Sequence, residues 1–171
     1  NLYKNRVSFD IAYYQKRMFD ELKEAEISSA SGFSYNYINS DEEITRKGLE
    51  IAVTATPVKT SDLKWNVMIN WSKYARYYTK LDKQYSEDKP WIKVGERADP
   101  YVIYNYQRDP QGNIIHKNGM PVYSSYDSKV GNADPDWVWG INNSVTYKNW
   151  DFNISVDGRV GGLTQTVTEM Y

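Results

Sequence analysis

Trp137-Val138-Trp139-Gly140-Ile141-Asn142-Asn143-Ser144-Val145-Thr146-Tyr147, then Lys148-Asn149, then Trp150-Asp151-Phe152-Asn153-Ile154-Ser155-Val156-Asp157-Gly158 alternates large apolar with small polar side chains on both sides of a two-residue break. Period two is the repeat of a β-strand, whose successive side chains point to opposite faces; a helix repeats at about 3.6. Two antiparallel strands joined by a tight Lys148-Asn149 turn follow. Their length matches a tilted membrane-spanning strand of roughly 9–11 residues.

Working outward, the same alternation predicts strands at 6–14, 48–57 and 65–74 beside those at 137–147 and 150–158. One face collects Val7, Phe9, Ile11, Tyr13, Leu49, Ile51, Val53, Ala55, Trp65, Val67, Ile69 and Trp71 with the Trp137 and Trp150 series, and Asn143 alone among them is polar. The other face collects Ser, Thr, Asn, Asp and Gly with few apolar residues. Ile and Val far outnumber Leu, and aromatics make up 15% of the chain, which favours a pleated sheet over helices. The expected class is all-β.

Connections alternate in length. A short run near 59–62 joins the second and third strands and Lys148-Asn149 joins the last two, whereas the loops at about 19–47 and 75–136 are long. An outer-membrane barrel has this asymmetry, with tight periplasmic turns and long extracellular loops. Aromatics gather at both ends: Trp65, Tyr147, Trp150 and Phe152 by the short turns, and Tyr13, Tyr74, Tyr77, Tyr78, Trp137 and Trp139 by the long loops. Two interfacial girdles are expected. Within the loops, 20–26 predicts a short helical turn, 28–39 an irregular stretch, and 101–124 a small meander with turns at 108–113 and 117–120.

Composition excludes most chemistry. The 171 residues carry 21 Lys+Arg against 22 Asp+Glu, for a net charge of −1, so no electrostatic footprint for nucleic acid exists. With no cysteine and only His116, there is no disulfide framework, thiolate nucleophile or multi-histidine metal site, and no cofactor is expected. Asp134 and Asp136 flank Pro135 on a turn, whereas a glycosidase sets its two carboxylates across a cleft. Arg108 and Asp109 look like a functional charge pair, but Asp-Pro-x-Gly-Asn is a turn by its own chemistry. No enzyme activity is expected.

Several strings resemble, in order, the C-terminal part of the barrel in SusC/RagA-type TonB-linked (TonB-dependent) outer-membrane transporters of Bacteroidetes. They are Arg46-Lys47-Gly48-Leu49-Glu50, Leu63-Lys64-Trp65-Asn66-Val67, Asn70-Trp71-Ser72, Tyr104-Asn105-Tyr106-Gln107-Arg108-Asp109-Pro110-Gln111-Gly112-Asn113, Gly119-Met120-Pro121 and Val130-Gly131-Asn132-Ala133-Asp134-Pro135-Asp136. The Gly-Asn-x-Asp-Pro-Asp entry to a strand is the most specific. The resemblance implies antiparallel meander strands forming part of a large, about 22-stranded outer-membrane β-barrel with long extracellular loops. It further implies a plug that contacts TonB, a SusD-like surface lipoprotein acting as a lid, and glycan or peptide cargo. The plug domain and signal peptide are read as absent from these residues, so the chain is expected to be a fragment, bathed by outer-membrane lipid and without a nucleic-acid partner.

On that reading Asp10, Glu50, Asn66, Asn70, Asn142, Asp151, Asn153, Asp157 and Arg159 face the lumen, where they keep the channel wet and hold the plug. Tyr101, Tyr104, Tyr106, Tyr123 and Tyr126 in the second long loop are candidates for ligand or lid contact, because tyrosine brings large area, few rotatable bonds and a polar tip. The alternative is a soluble carbohydrate-binding β-sandwich, which shares the composition but needs neither alternating connections nor two girdles.

Overall fold

A computed structural model describes residues 6–166; positions 1–5 and 167–171 lie outside the described residues. The strands are β1 (Val7–Met18), β2 (Leu22–Glu26), β3 (Tyr35–Asn39), β4 (Glu43–Lys59), β5 (Leu63–Lys80), β6 (Pro100–Tyr106), β7 (His116–Lys117), β8 (Met120–Pro121), β9 (Tyr123–Asn132), β10 (Trp137–Tyr147) and β11 (Trp150–Val160). Every pairing is antiparallel. One five-stranded sheet in the order β1-β4-β5-β10-β11 dominates, leaving β1 and β11 as open edges.

Register turns the sequence pattern into rows. From the short-turn end upward, the apolar face carries Leu63–Tyr147–Trp150, Val58–Trp65–Val145–Phe152, Val7–Ala55–Val67–Asn143–Ile154, Phe9–Val53–Ile69–Ile141–Val156, Ile11–Ile51–Trp71–Trp139–Gly158 and Tyr13–Leu49–Lys73 with Trp137–Val160. From Leu63 to Lys73 the chain climbs about 33 Å along the strand, or about 25 Å vertically at the usual tilt of ~40°. That is the height of an outer-membrane apolar band. The next row up, Gln15–Lys47–Ala75, is already polar. The sheet keeps one register throughout this band except at a bulge between Ala55 and Val58, where Pro57 has no N–H to give the ladder.

The sheet has no apolar core. Among the described residues only Ala25, Ala75 and Tyr78 are buried hydrophobics, whereas Ile11, Ile154 and Trp150 are 67%, 63% and 67% exposed. A soluble domain buries this surface. The sandwich alternative requires a second sheet packed on the apolar face, and among the described residues that face is bare.

Several local expectations are corrected. The 20–26 stretch is a strand, not a helical turn, because Tyr35–Asn39 supplies a pairing partner, and tertiary pairing overrides a short segment's helix preference. The first half of 28–39 is irregular around a 3₁₀ turn at Ser29–Ser31, but its second half is β3. β4 and β5 reach 17 and 18 residues, so the long loops open at 81 and close at 42 instead of 75 and 47. Alternation places Tyr74 and Tyr78 on the polar face, leaving Tyr13, Trp137 and Trp139 as the upper girdle with Tyr77 on the same face two rows above the band. In the second loop, β6 pairs with β9 as a stem and β7 with β8 as a separate hairpin, which is a fork and not a meander.

Candidate functional site

The polar face and the loop head above it form one continuous surface. Asp10–Ala52–Asn70–Gly140–Asp157 make one row, Ala12–Glu50–Ser72–Val138–Arg159 the row above, and Ser8–Thr54–Met68–Asn142–Ser155 the row below. Asn66–Ser144–Asn153 and Lys64–Thr146–Asp151 follow toward the short turns. The register therefore gathers Asp10, Glu50, Asn66, Asn70, Asn142, Asp151, Asn153, Asp157 and Arg159 on one face. Asn66 accepts a 2.9 Å bond from Thr56 Oγ1 and Asp151 a 2.7 Å bond from Thr146 Oγ1. Asp10, Glu50, Asn70, Asn142, Asp157 and Arg159 make no side-chain hydrogen bond among the described residues, so their polar groups are open to water or to whatever lies against this face.

Above the band, β4 and β5 continue as a paired ribbon fastened by a charge cluster centred on the buried Asp99. Arg97 donates through Nε and Nη2 to both oxygens of Asp99, at 2.9 and 2.7 Å, through Nη1 to Asp136 at 3.1 Å and through Nη2 to the Asp134 carbonyl at 3.1 Å. Asp99 Oδ2 also accepts the Asp134 N–H at 2.9 Å, while Arg76 pairs with the Asp134 carboxylate at 3.0 Å. Such bidentate, charge-assisted contacts are the strong ones. Burial opposes ionisation of Asp99, but the Arg97 fork and the Asp134 N–H outweigh it and hold the carboxyl below its usual range. The two legs at the base of the β6–β9 stem are thus riveted to β5 at Arg76. Asp134 and Asp136, read in the sequence as turn residues, are members of this rivet; Arg97, Asp99 and Arg76 were missed, although Arg97-Ala98-Asp99 places an opposite charge pair two apart, on one side of an extended chain.

The first loop joins the same assembly. Glu42 accepts from Lys23 at 2.9 Å and from Ser86, and the Asp41 N–H bonds Asp82 at 2.8 Å. Three bonds, Gln107 N–H to the Val122 carbonyl, Ile115 N–H to the Gln107 carbonyl and Val122 N–H to the Ile115 carbonyl, close the junction where the β6–β9 stem forks. Asp109 caps its own turn by accepting from Gln111 and Asn113 N–H at 2.9 and 2.8 Å, and Arg108 Nη1 bonds the Gly112 carbonyl at 2.8 Å.

The loop tyrosines divide between packing and display. Tyr106 and Tyr123 face each other across the stem with ring centroids 4.9 Å apart, and Tyr101 is half-buried opposite Gly131. Tyr104 and Tyr126 are 65% and 71% exposed. A cleft of about 470 Å³ at the fork is lined by Asn105, Tyr106, Gln107, Arg108, Ser124 and Tyr126, among others. Aromatic faces beside amides, hydroxyls and a guanidinium suit sugar rings and peptide backbones alike.

No family model matches the chain. It is 25% identical to the TonB-dependent receptor P3 of Formosa agariphila, over 99% of this chain and 20% of the relative. It is 24% identical to the TonB-dependent receptor SusC of Bacteroides thetaiotaomicron, over 88% of this chain and 17% of the relative. Among solved structures, the RagAB peptide importer in its open-open state superposes with a TM-score of 0.69 at 16% identity, covering 94% of this chain and 19% of that one. The chain thus spans about a fifth of the length of the relatives it matches. The likeness reaches nearly from end to end of this chain, and it is to TonB-dependent receptors of the SusC/RagA type. The sheet is a piece of the wall of an outer-membrane β-barrel.

Proposed function

We propose that this chain is the barrel-wall and extracellular-loop segment of a TonB-dependent outer-membrane nutrient importer, whose cargo is a glycan or oligosaccharide handed over by a SusD-like surface lipoprotein. The observation that carries the reading is the two-faced sheet: an apolar band about 25 Å high with aromatics at both margins, a polar face behind it, and every long loop at one end. Residues 1–171 form one partial barrel, with transmembrane strands drawn from β1, β4, β5, β10 and β11.

The work is binding and passage; no bond in the cargo is broken. Asp10, Glu50, Asn70 and their neighbours line a wet lumen and offer hydrogen bonds to a plug. Energy reaches the barrel through TonB acting on that plug. Tyr104 and Tyr126 meet cargo or lid at the extracellular mouth, and the rivet around Arg97 holds the loop that presents them.

The test uses the parent protein in its own cells. Outer-membrane fractionation, a heat-sensitive compact band in a denaturing gel, protease cleavage within 101–134 from outside, and loss of labelled oligosaccharide uptake when the gene is disrupted are expected. Uptake of labelled peptides in place of oligosaccharides would move the cargo to the peptide class. A parent that is soluble and monodisperse without detergent would overturn the reading.

A further inference from the structure

We infer that the head of the polar face is built to receive an anionic group of the cargo, a carboxylate, through Lys16 and Arg46. The inference rests on the transport reading, which places this face in the lumen just below the extracellular mouth.

Lys16, Arg46 and Arg76 stand directly opposite one another on β1, β4 and β5. Like charges in direct cross-strand opposition repel, so each requires compensation. Arg76 obtains it from Asp134 at 3.0 Å. Arg46 does not: its Cζ lies 3.9 Å from the centroid of the Tyr74 ring, and its Nε is buried with no hydrogen-bond partner among the described residues. Ring stacking offsets a guanidinium's charge only in part, and the half-buried Arg46 makes no hydrogen bond through its terminal Nη groups among the described residues, which leaves them to meet a carboxylate. Lys16 is exposed and makes no ion pair or hydrogen bond among the described residues.

One row below, the glycine of Tyr14–Gly48–Tyr74 completes the surface. The Tyr14 ring lies across Gly48, where an added Cβ would overlap it. Two uncompensated cations therefore sit beside two phenol rings. An anionic group meets the N–H donors while the sugar ring or side chain bearing it meets an aromatic edge.

The full-length receptor in detergent is titrated by calorimetry with hexagalacturonate, hexaglutamate and, as the neutral probe, maltohexaose. At least one acidic probe is expected to bind more tightly than maltohexaose, and which one does so separates glycan from peptide cargo. The variant Lys16→Gln/Arg46→Gln weakens that binding about tenfold or more, and added salt weakens the wild type far more than the variant. Lys16→Gln alone leaves Arg46 in place and weakens binding in the same direction, so the result does not depend on how Arg46→Gln folds. The inference is overturned if neither acidic probe exceeds maltohexaose or if the Lys16→Gln variant binds the preferred acidic probe as the wild type does. It is overturned also if the variants lose the compact barrel band seen without heating, since the cations would then hold barrel or plug. Failure of the transport reading is seen separately, as absence of the wild-type protein from the outer membrane.

Discussion

The indole Nε1 of Trp65 points at Oδ1 of Asn143 across the β5–β10 ladder, at 3.4 Å. Asn143 is the polar interruption of the apolar face, in a row otherwise made by Val7, Ala55, Val67 and Ile154. In a lipid-facing band a carboxamide without a partner is costly. The indole N–H supplies one, and the indole's own need for an acceptor is met by the same bond.

Removing the donor should therefore hurt more than removing both. Trp65→Phe is expected to destabilise the parent barrel by about 1–2 kcal/mol, and Asn143→Leu in the Trp65→Phe background to restore part of it. A double-mutant cycle on detergent unfolding measures the coupling. Additive effects would show that the two groups do not act as a pair.

Acid should loosen the second loop before it unfolds the sheet. The folded pKa of Asp99 is lowered, so its contribution is fully present above the unfolded carboxylate value of about 3.9 and is lost as pH falls through the lower folded value. Pepsin cleavage within 101–132 of the parent, followed from pH 4 downward, should accelerate over that range. Asp99→Asn should be cleaved readily at pH 4 already.

Gly161 and Gly162 follow β11 with φ of 71° and 78°, and a Cβ on Gly162 would lie 2.9 Å from the Pro135 nitrogen. Backbone cannot step aside as a side chain can. Gly162→Ala should cost about 1–2 kcal/mol through left-handed strain, with the overlap adding to it. Thermal loss of the compact gel band reads this, with Gly32→Ala, which is left-handed but meets nothing within 4 Å, as the comparison for strain alone.

Tyr104→Ala/Tyr126→Ala should leave barrel assembly unchanged, because both rings are mostly exposed. Cargo uptake or lipoprotein co-purification should fall several-fold. Tyr106→Ala should instead increase protease sensitivity of the stem, since that ring packs on Tyr123.

Legibility in the sequence followed the solvent. Where one face meets lipid and the other water, every second residue is constrained, and Trp137–Tyr147 and the rows through Ile51, Ile69 and Ile141 are visible as a period of two. Above Leu49 and Trp71 both faces meet water or loop, the contrast vanishes, and the upper ends of β4 and β5 could not be seen although their hydrogen bonds continue. The Arg97–Asp99–Asp134–Asp136 rivet was hidden for another reason. It joins residues 35 and 37 apart, and pairings at such range leave no local pattern. The loop tyrosines were found by composition alone, which names the residue type but does not separate the packed Tyr106 from the displayed Tyr126.

The β4–β5 ribbon, in one register from Ile44 to Ala55, also has a mechanical meaning. It runs from the short turn through the band and some 20 Å beyond it, with the loop fastened to its upper part at Arg76. A tug there directed along the strands strains many ladder bonds together, in shear, and none of them can open without the rest. A tug across the strands would peel them one by one. A load applied at the head of this ribbon along the strands therefore meets the wall in its stiffest direction, and displacement there passes into the ladder below without being spent in a soft hinge.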